Sequence, residues 1–390
     1  MNDISRCHEI LNQYLKYTAL EIEKIASKSM FMTLSIHPEN DIKMILAKVL
    51  NIFRNEPSML DTRSPCIIIG DLHGHLLDLL RIIKNHGLPE NDKFIFLGDI
   101  VDRGEFSIDT CLIVFLLKIL HPQNVFIIRG NHEFHSLCSQ FGFYDEIQYF
   151  YPNSDLYDEF LKTFSYMPLS ILVDSHMICV HGGIGPNMYS ISQLSSIPKP
   201  TDEFTGQIQT SLLWSDPNDS IHNFKDSTRG MGFLFGQDAL ETFLRGVRRS
   251  IIVRGHECIS GGVEMSFNGQ IVTVFSASNY CGIAGNMAGV LIVRPDQKYE
   301  FKRYMPLQYL TRKDVKYNKT KPLGVMPPIR ESTSLTKGLI IMPNKTEIVQ
   351  PKPKCSTQKL DLKKNIVNSL KHKRASGYAE TVSFKNSNPI

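Results

Sequence analysis

Five short apolar runs, each stopping at a residue able to bind a metal ion, constrain this chain more tightly than anything else in its sequence. Cys66-Ile67-Ile68-Ile69-Gly70 leads into Asp71 and His73, and Lys93-Phe94-Ile95-Phe96-Leu97-Gly98 leads into Asp99. Val125-Phe126-Ile127-Ile128-Arg129-Gly130 leads into Asn131-His132, Met177-Ile178-Cys179-Val180 into His181, and Ile251-Ile252-Val253-Arg254-Gly255 into His256. Short runs rich in Ile, Val and Phe read as strands buried on both faces. Between the first three, residues 76–85 and 110–120 read as amphipathic or apolar helices. That is a βαβαβ unit of an α/β fold, with right-handed crossovers and helices covering the sheet. Ligand sites in such sheets lie beyond the carboxyl ends of the strands, and all five runs put their Asp, Asn or His at that edge.

The rest of the chain arranges itself around this unit. Residues 5–28 and 42–53 carry apolar side chains at helical spacing, through Ile10, Leu11, Tyr14 and Leu15, then Ile42, Ile45, Leu46 and Val49. They make 1–57 a set of N-terminal helices packed on the main body. Residues 270–275 and 289–293 read as strands of a second, more antiparallel sheet, and the body, 58–306, is expected to end near Pro306. From 310 to 390 the chain has 17 Lys/Arg against 5 Asp/Glu, a charge of +12 that leaves −8 for everything before it. Rich in Pro, Lys, Thr and Asn and without periodicity, 307–390 reads as a basic, largely disordered tail. Within it, Lys371-His372-Lys373-Arg374-Ala375-Ser376 reads either as a basic cluster before a phosphorylatable serine or as a solvated charge run.

Several classes fall away on these grounds. An acidic body does not support a nucleic-acid-binding core. No apolar stretch approaches the roughly 18 residues of a membrane span. The eight cysteines show no C-x-x-C pair, which fits reduced thiols in the cytoplasm or nucleus.

The chemistry follows from residue type. Asp71, His73, Asp99, Asn131, His181 and His256 offer carboxylate, imidazole and amide donors that suit two divalent transition-metal ions such as Mn²⁺, Fe or Zn²⁺. Two such ions about 3.5–4 Å apart clamp a hydroxide and hold a phosphoryl oxygen. An ester leaving as an alkoxide needs a proton donor; His132, next to Asn131, is placed for it, with Asp102 to orient it. Arg103 and Arg229, each followed by glycine, suit phosphate oxygens. Any one of these alone reads more simply as a structural residue; the ordered set of five strand ends does not.

Gly70-Asp71-Leu72-His73-Gly74, Gly98-Asp99-Ile100-Val101-Asp102-Arg103-Gly104 and Arg129-Gly130-Asn131-His132-Glu133 resemble the signature blocks of the phosphoprotein phosphatase family. His181-Gly182-Gly183, Leu212-Leu213-Trp214-Ser215-Asp216-Pro217, Arg254-Gly255-His256-Glu257 and Phe275-Ser276-Ala277-Ser278-Asn279-Tyr280-Cys281-Gly282 continue the match in order, over residues 5–305. The resemblance implies a metallophosphoesterase-type β-sandwich of two mixed sheets flanked by helices. It implies a protein serine/threonine phosphatase in which a metal-bridging hydroxide attacks the phosphate ester directly. It further implies Asp71, His73 and Asp99 around one metal, and Asp99, Asn131, His181 and His256 around the other. His132 with Asp102 is then the acid pair, and Arg103, Arg229 and Tyr280 meet the phosphate. Partners on this reading are phosphoprotein substrates and regulatory or targeting subunits. The body looks most similar to the type-1 enzymes, with departures: Ile100 replaces the usual tyrosine, Gly185 a serine, Ser278 a common proline and Tyr299 a cysteine.

Overall fold

The structure, a computed structural model, describes residues 2–296 and 298–318. Its strands, in chain order, are β1 (Thr33–Ser35), β2 (Met59–Thr62), β3 (Cys66–Ile69), β4 (Lys93–Phe96), β5 (Val125–Ile127), β6 (Ser170–Val173), β7 (Met177–Val180), β8 (Asp216–Pro217), β9 (Phe224–Asp226), β10 (Phe233–Phe235), β11 (Ile251–Arg254), β12 (Val263–Ser266), β13 (Ile271–Val274), β14 (Ala288–Val293), β15 (Tyr299–Tyr304) and β16 (Lys316–Asn318). All five apolar runs form strands, but they divide between two sheets. β3, β4 and β5 lie parallel in a five-stranded sheet of order β15-β14-β3-β4-β5, while β7 and β11 lie parallel in a six-stranded sheet of order β12-β13-β11-β7-β6-β2. The second sheet is therefore not the one expected: β13 joins β11 in parallel, and β14 pairs antiparallel with β3 in the other sheet. Short apolar runs reveal strands but not their neighbours, because pairing depends on where the chain returns.

Side-chain alternation explains why β3 is apolar at every position. Ile67 and Ile69 face a helical layer; Cys66 and Ile68 face the opposite sheet. The core between the sheets takes Ile68 and Ile95 from one and Ile171, Val253 and Val272 from the other. Helices α1 (Asp3–Leu15), α2 (Ile22–Ala26), α3 (Glu39–Asn55), α4 (Leu76–His86) and α5 (Ser107–Leu120) pack on the outer face of the first sheet. Those at Gln207–Trp214 and Gln237–Val247 cover the second. The result is a two-sheet sandwich with helices on both faces.

The crossover helices α4 and α5 correspond to the expected ones, and α3 extends the 42–53 prediction by a turn. It begins after Pro38 and carries Glu39 and Asp41 in its first turn, where carboxylates favour the positive helix end. The single helix expected over 5–28 is broken instead. Asn2 caps α1, but Leu20 is extended (φ −96°, ψ 169°) before α2 begins. The Tyr17 hydroxyl accepts from Thr33 N at 2.9 Å, tying the break to β1.

The end of the body near Pro306 also needs correction. Leu307, Leu310 and Val315 are buried, and β16 runs parallel to β1. The packed chain continues at least to Asn318; its polar composition hid this because few apolar anchors suffice when backbone pairing does the rest. Residues 319–390, including the basic cluster at 371–376, lie outside the described residues.

Candidate active site

The two sheets meet at their carboxyl edges. Asp71, one residue past Gly70, forms an isolated parallel bridge with Phe275, just past β13, and Ser276 N donates to Asp71 O at 3.1 Å. The loops after β3, β4 and β5 therefore face those after β7 and β11. Glycines make the approach possible. A Cβ on Gly130 would lie 2.2 Å from Asp99 Oδ1, and one on Gly255 2.3 Å from Asp71 Oδ1.

Asp99 is the hub. Its Oδ2 lies 3.3 Å from His73 Nε2, its Oδ1 lies 3.4 Å from His181 Nε2, and Oδ1 accepts from His132 N at 2.9 Å. Two compact donor groups share it: His73, Asp99 and His132 form one, and Asp99, His181 and His256 the other, with the donor atoms of each within 4.8 Å of one another. Asp71 is absent from these triads, yet its Oδ2 stands 3.8 Å from His73 Nε2. Asn131 Oδ1 stands 3.2 Å from His181 Nε2. All six predicted ligands are thus brought together and buried.

The ring orientations suit metal binding. His73 Nδ1 donates to Val101 O at 2.8 Å and His181 Nδ1 to Leu97 O at 2.9 Å, which leaves Nε2 of each facing the site as an acceptor. Nε2 of His256 is buried with no hydrogen-bond partner. Burial, with the neighbouring Asp99 charge, pushes the Asp71 carboxyl up to about 7, and burial pushes Asp99 up to about 8. A buried pocket of carboxylates, bare imidazole nitrogens and one amide suits divalent cations and is poorly served by anything else.

Beside the hub, His132 Nδ1 contacts Asp102 Oδ2 at 2.7 Å, and the other Asp102 oxygen accepts from Phe143 N at 3.0 Å. Burial and then the Arg103 charge hold the His132 imidazole well below its ordinary pKa. Arg103 lies with its guanidinium 3.9 Å over the Phe141 ring. Arg229, in the turn between β9 and β10, donates through Nε to Asp216 Oδ2 at 2.5 Å and keeps a quarter of its side chain exposed. The Tyr280 ring sits 5.2 Å from that of His73. Cys281 is half-buried, and burial pushes its thiol up to about 11, which keeps it protonated.

Four supporting residues escaped the sequence reading. The buried Glu133 carboxylate accepts from Asp99 N and Gly130 N at 2.9 Å and from Ile100 N at 2.8 Å, clamping the two ligand loops together. Arg254 is fully buried; it donates to Gly182 O, to Glu257 at 2.6 Å and to Asp216 at 2.8 Å, so Asp216 joins both arginines. Trp214, read only as core, stands edge-on to His256 with ring centroids 5.8 Å apart. The signal available was position: Glu133, Arg254 and Asp216 each adjoin or nearly adjoin a ligand or a phosphate candidate, but no spacing distinguishes a clamp from a surface charge.

Residues 64–260 match the family described as calcineurin-like phosphoesterase. Serine/threonine-protein phosphatase PP1-delta of Caenorhabditis elegans is 35% identical over 282 residues, covering 72% of this chain and 92% of that protein. Among solved structures, a protein serine/threonine phosphatase from Saccharomyces cerevisiae with similarity to human phosphatase PP5 superposes with a TM-score of 0.67 at 31% identity. That superposition covers 70% of this chain and 92% of the other.

Proposed function

Since the chain belongs to the calcineurin-like phosphoesterases, and within them to the serine/threonine phosphatases of the phosphoprotein phosphatase family close to type-1 catalytic subunits, we propose how its residues divide the work of hydrolysing phosphoserine and phosphothreonine esters. The observation that carries the proposal is the convergence of His73, His181 and His256 on a shared Asp99, with Asp71 and Asn131 beside them and His132 engaged by Asp102 instead. Asp71, His73 and Asp99 hold one ion; Asp99, Asn131, His181 and His256 hold the other. When bound, the two ions supply a hydroxide nucleophile and positive charge for the phosphoryl oxygens. The mixed oxygen and nitrogen donors suit Mn²⁺ in vitro and Fe or Zn²⁺ in the cell.

The remaining steps belong to the chain. Arg103 and Arg229 bind and orient the phosphate, Arg229 held in place through Asp216 and Arg254, and Tyr280 closes the side next to His73. His132 holds the proton that the leaving serine or threonine oxygen takes. Asp102, at 2.7 Å from its Nδ1, fixes the ring and favours its protonated form against burial. These contacts address phosphate and not neighbouring side chains, which supports regulatory or targeting subunits as the source of selectivity. Among the described residues no helix is long and apolar enough to cross a membrane, and the seven described cysteines are free, which supports a place in the cytoplasm or nucleus.

The test is phosphate release from a phosphoserine peptide by purified protein with Mn²⁺, beside His132→Asn and a dinucleotide substrate. Turnover of the peptide well above the dinucleotide, with a fall of roughly 10²–10⁴ in kcat for the variant, is the expected outcome. An inactive but metal-loaded wild type would instead make the chain a binding scaffold.

A further inference from the structure

The loop that carries Asp102 and Arg103 is strained. Both residues adopt left-handed backbone angles, φ +72° and +68°, which side-chain-bearing residues hold only where the surroundings over-determine them. One side of the restraint comes from Phe141, whose carbonyl accepts from Arg103 N at 2.9 Å and whose ring underlies the guanidinium. The other side comes from chain that the sequence reading assigned to the tail. Tyr309 Oη donates to Arg103 O at 3.3 Å, and Arg312 donates to Glu105 Oε2 through N at 3.2 Å and Nε at 3.0 Å.

We infer that residues 307–314 form a strap that positions Arg103 for the phosphate, with Tyr309 and Arg312 as positioning residues. The inference rests on the reading of Arg103 as a phosphate ligand given above.

The strap has its own anchors on either side of the loop. At its start, Leu307 N donates to Ser278 Oγ and Asn279 Nδ2 donates to Leu307 O, both at 3.1 Å. Ser278 N in turn donates to Asp78 Oδ2 at 2.8 Å. A proline at 278 would supply neither the hydroxyl nor the N–H, so this departure from the family pattern supplies one of the two hydrogen bonds that dock Leu307. Tyr309 packs on Gly282, where a Cβ would come within 3.0 Å of its ring. At its end, Asp314 pairs with Lys28 at 2.9 Å and β16 lies along β1. The strap therefore links the loop of Tyr280, the loop of Arg103 and the N-terminal helical layer, and it lies outside the stretch 64–260 that matches the family.

The experiment uses full-length, Mn²⁺-loaded protein and reads peptide kinetics, inhibition by inorganic phosphate and the melting temperature. Arg312→Ala is expected to raise both KM and the phosphate inhibition constant about tenfold, within the range of coupling for residues in one network, with a smaller change in kcat. Arg312→Lys should recover part of the loss, and in an Arg103→Ala background Arg312→Ala should add nothing. An equal effect in that background, or a lower melting temperature with an unchanged inhibition constant, overturns the inference. If Arg103→Ala weakens phosphate binding but the strap variants do not, only the strap is wrong. If Arg103→Ala itself leaves phosphate inhibition unchanged, the reading beneath it falls as well. Should Arg312→Ala not fold, Tyr309→Phe, which removes one hydroxyl, carries the same test.

Discussion

His132 and Asp102, the proposed acid pair, have to be considered as one unit. Burial, and then the Arg103 charge, depress the pKa of the imidazole, and the Asp102 carboxylate 2.7 Å from Nδ1 is the group placed to stabilise its protonated form. Asp102→Asn is expected to lower kcat by about 10²-fold or more, since an amide can leave the ring in the wrong tautomer and cannot favour its protonated form. The double variant with His132→Asn should be little worse than His132→Asn alone, because the two act on the same proton; steady-state kinetics of the three proteins decides it. Glu133 acts on geometry instead. In Glu133→Gln one carboxylate oxygen becomes an NH₂ facing backbone N–H donors, at a cost of about 1–3 kcal/mol. The expected result is a lower urea midpoint together with weaker Mn²⁺ activation, because Asp99 N and Gly130 N lose their shared acceptor.

At the scale of elements, the helical layer over the first sheet has its own polar core. Tyr14 Oη donates to Asp109 Oδ1 at 2.8 Å and lies 3.0 Å from His37 Nε2, which must then be the donor to the tyrosine oxygen. Burial lowers the His37 pKa from 6.5 to about 4. The unfolded chain therefore takes up a proton below pH 6.5 that the folded chain refuses until about 4. Stability from this residue is complete above pH 6.5 and is lost as pH falls to about 4, by up to about 3 kcal/mol. His37→Gln keeps a donor for Tyr14 but does not titrate, so its unfolding free energy should decline less across that window than the wild type's. Parallel denaturation curves would remove His37 as the cause.

For the whole molecule, the segment past Pro306 is the question. Truncation after residue 306 removes the buried side chains of Leu307, Leu310 and Val315 and the pairing of β16 with β1. At about 1.5–3 kcal/mol for each buried apolar side chain, the loss is on the order of 5 kcal/mol. A truncated protein as stable as the full chain in guanidinium would show that this segment merely lies on the surface. The strands that carry the proposed ligands depend on long-range placement in the same way: β7 and β11 bring His181 and His256 to Asp99 only because the second sheet stacks on the first.

Much of the site was legible from residue order. An apolar run that stops at a ligand-capable residue with a glycine beside it states locally that a buried strand ends there in a turn, and this held at Asp71, Asp99, Asn131, His181 and His256 without knowledge of their neighbours. What only the tertiary structure decided is nonlocal. The division of the five runs between two sheets, the separation of β13 from β14, the clamp of Glu133 on two loops and the docking of Leu307 on Ser278 all join residues distant in sequence. Periodicity and turn chemistry report which face of an element is buried and where it stops. They carry no record of which other element covers that face, because burial is satisfied by any apolar partner of suitable shape.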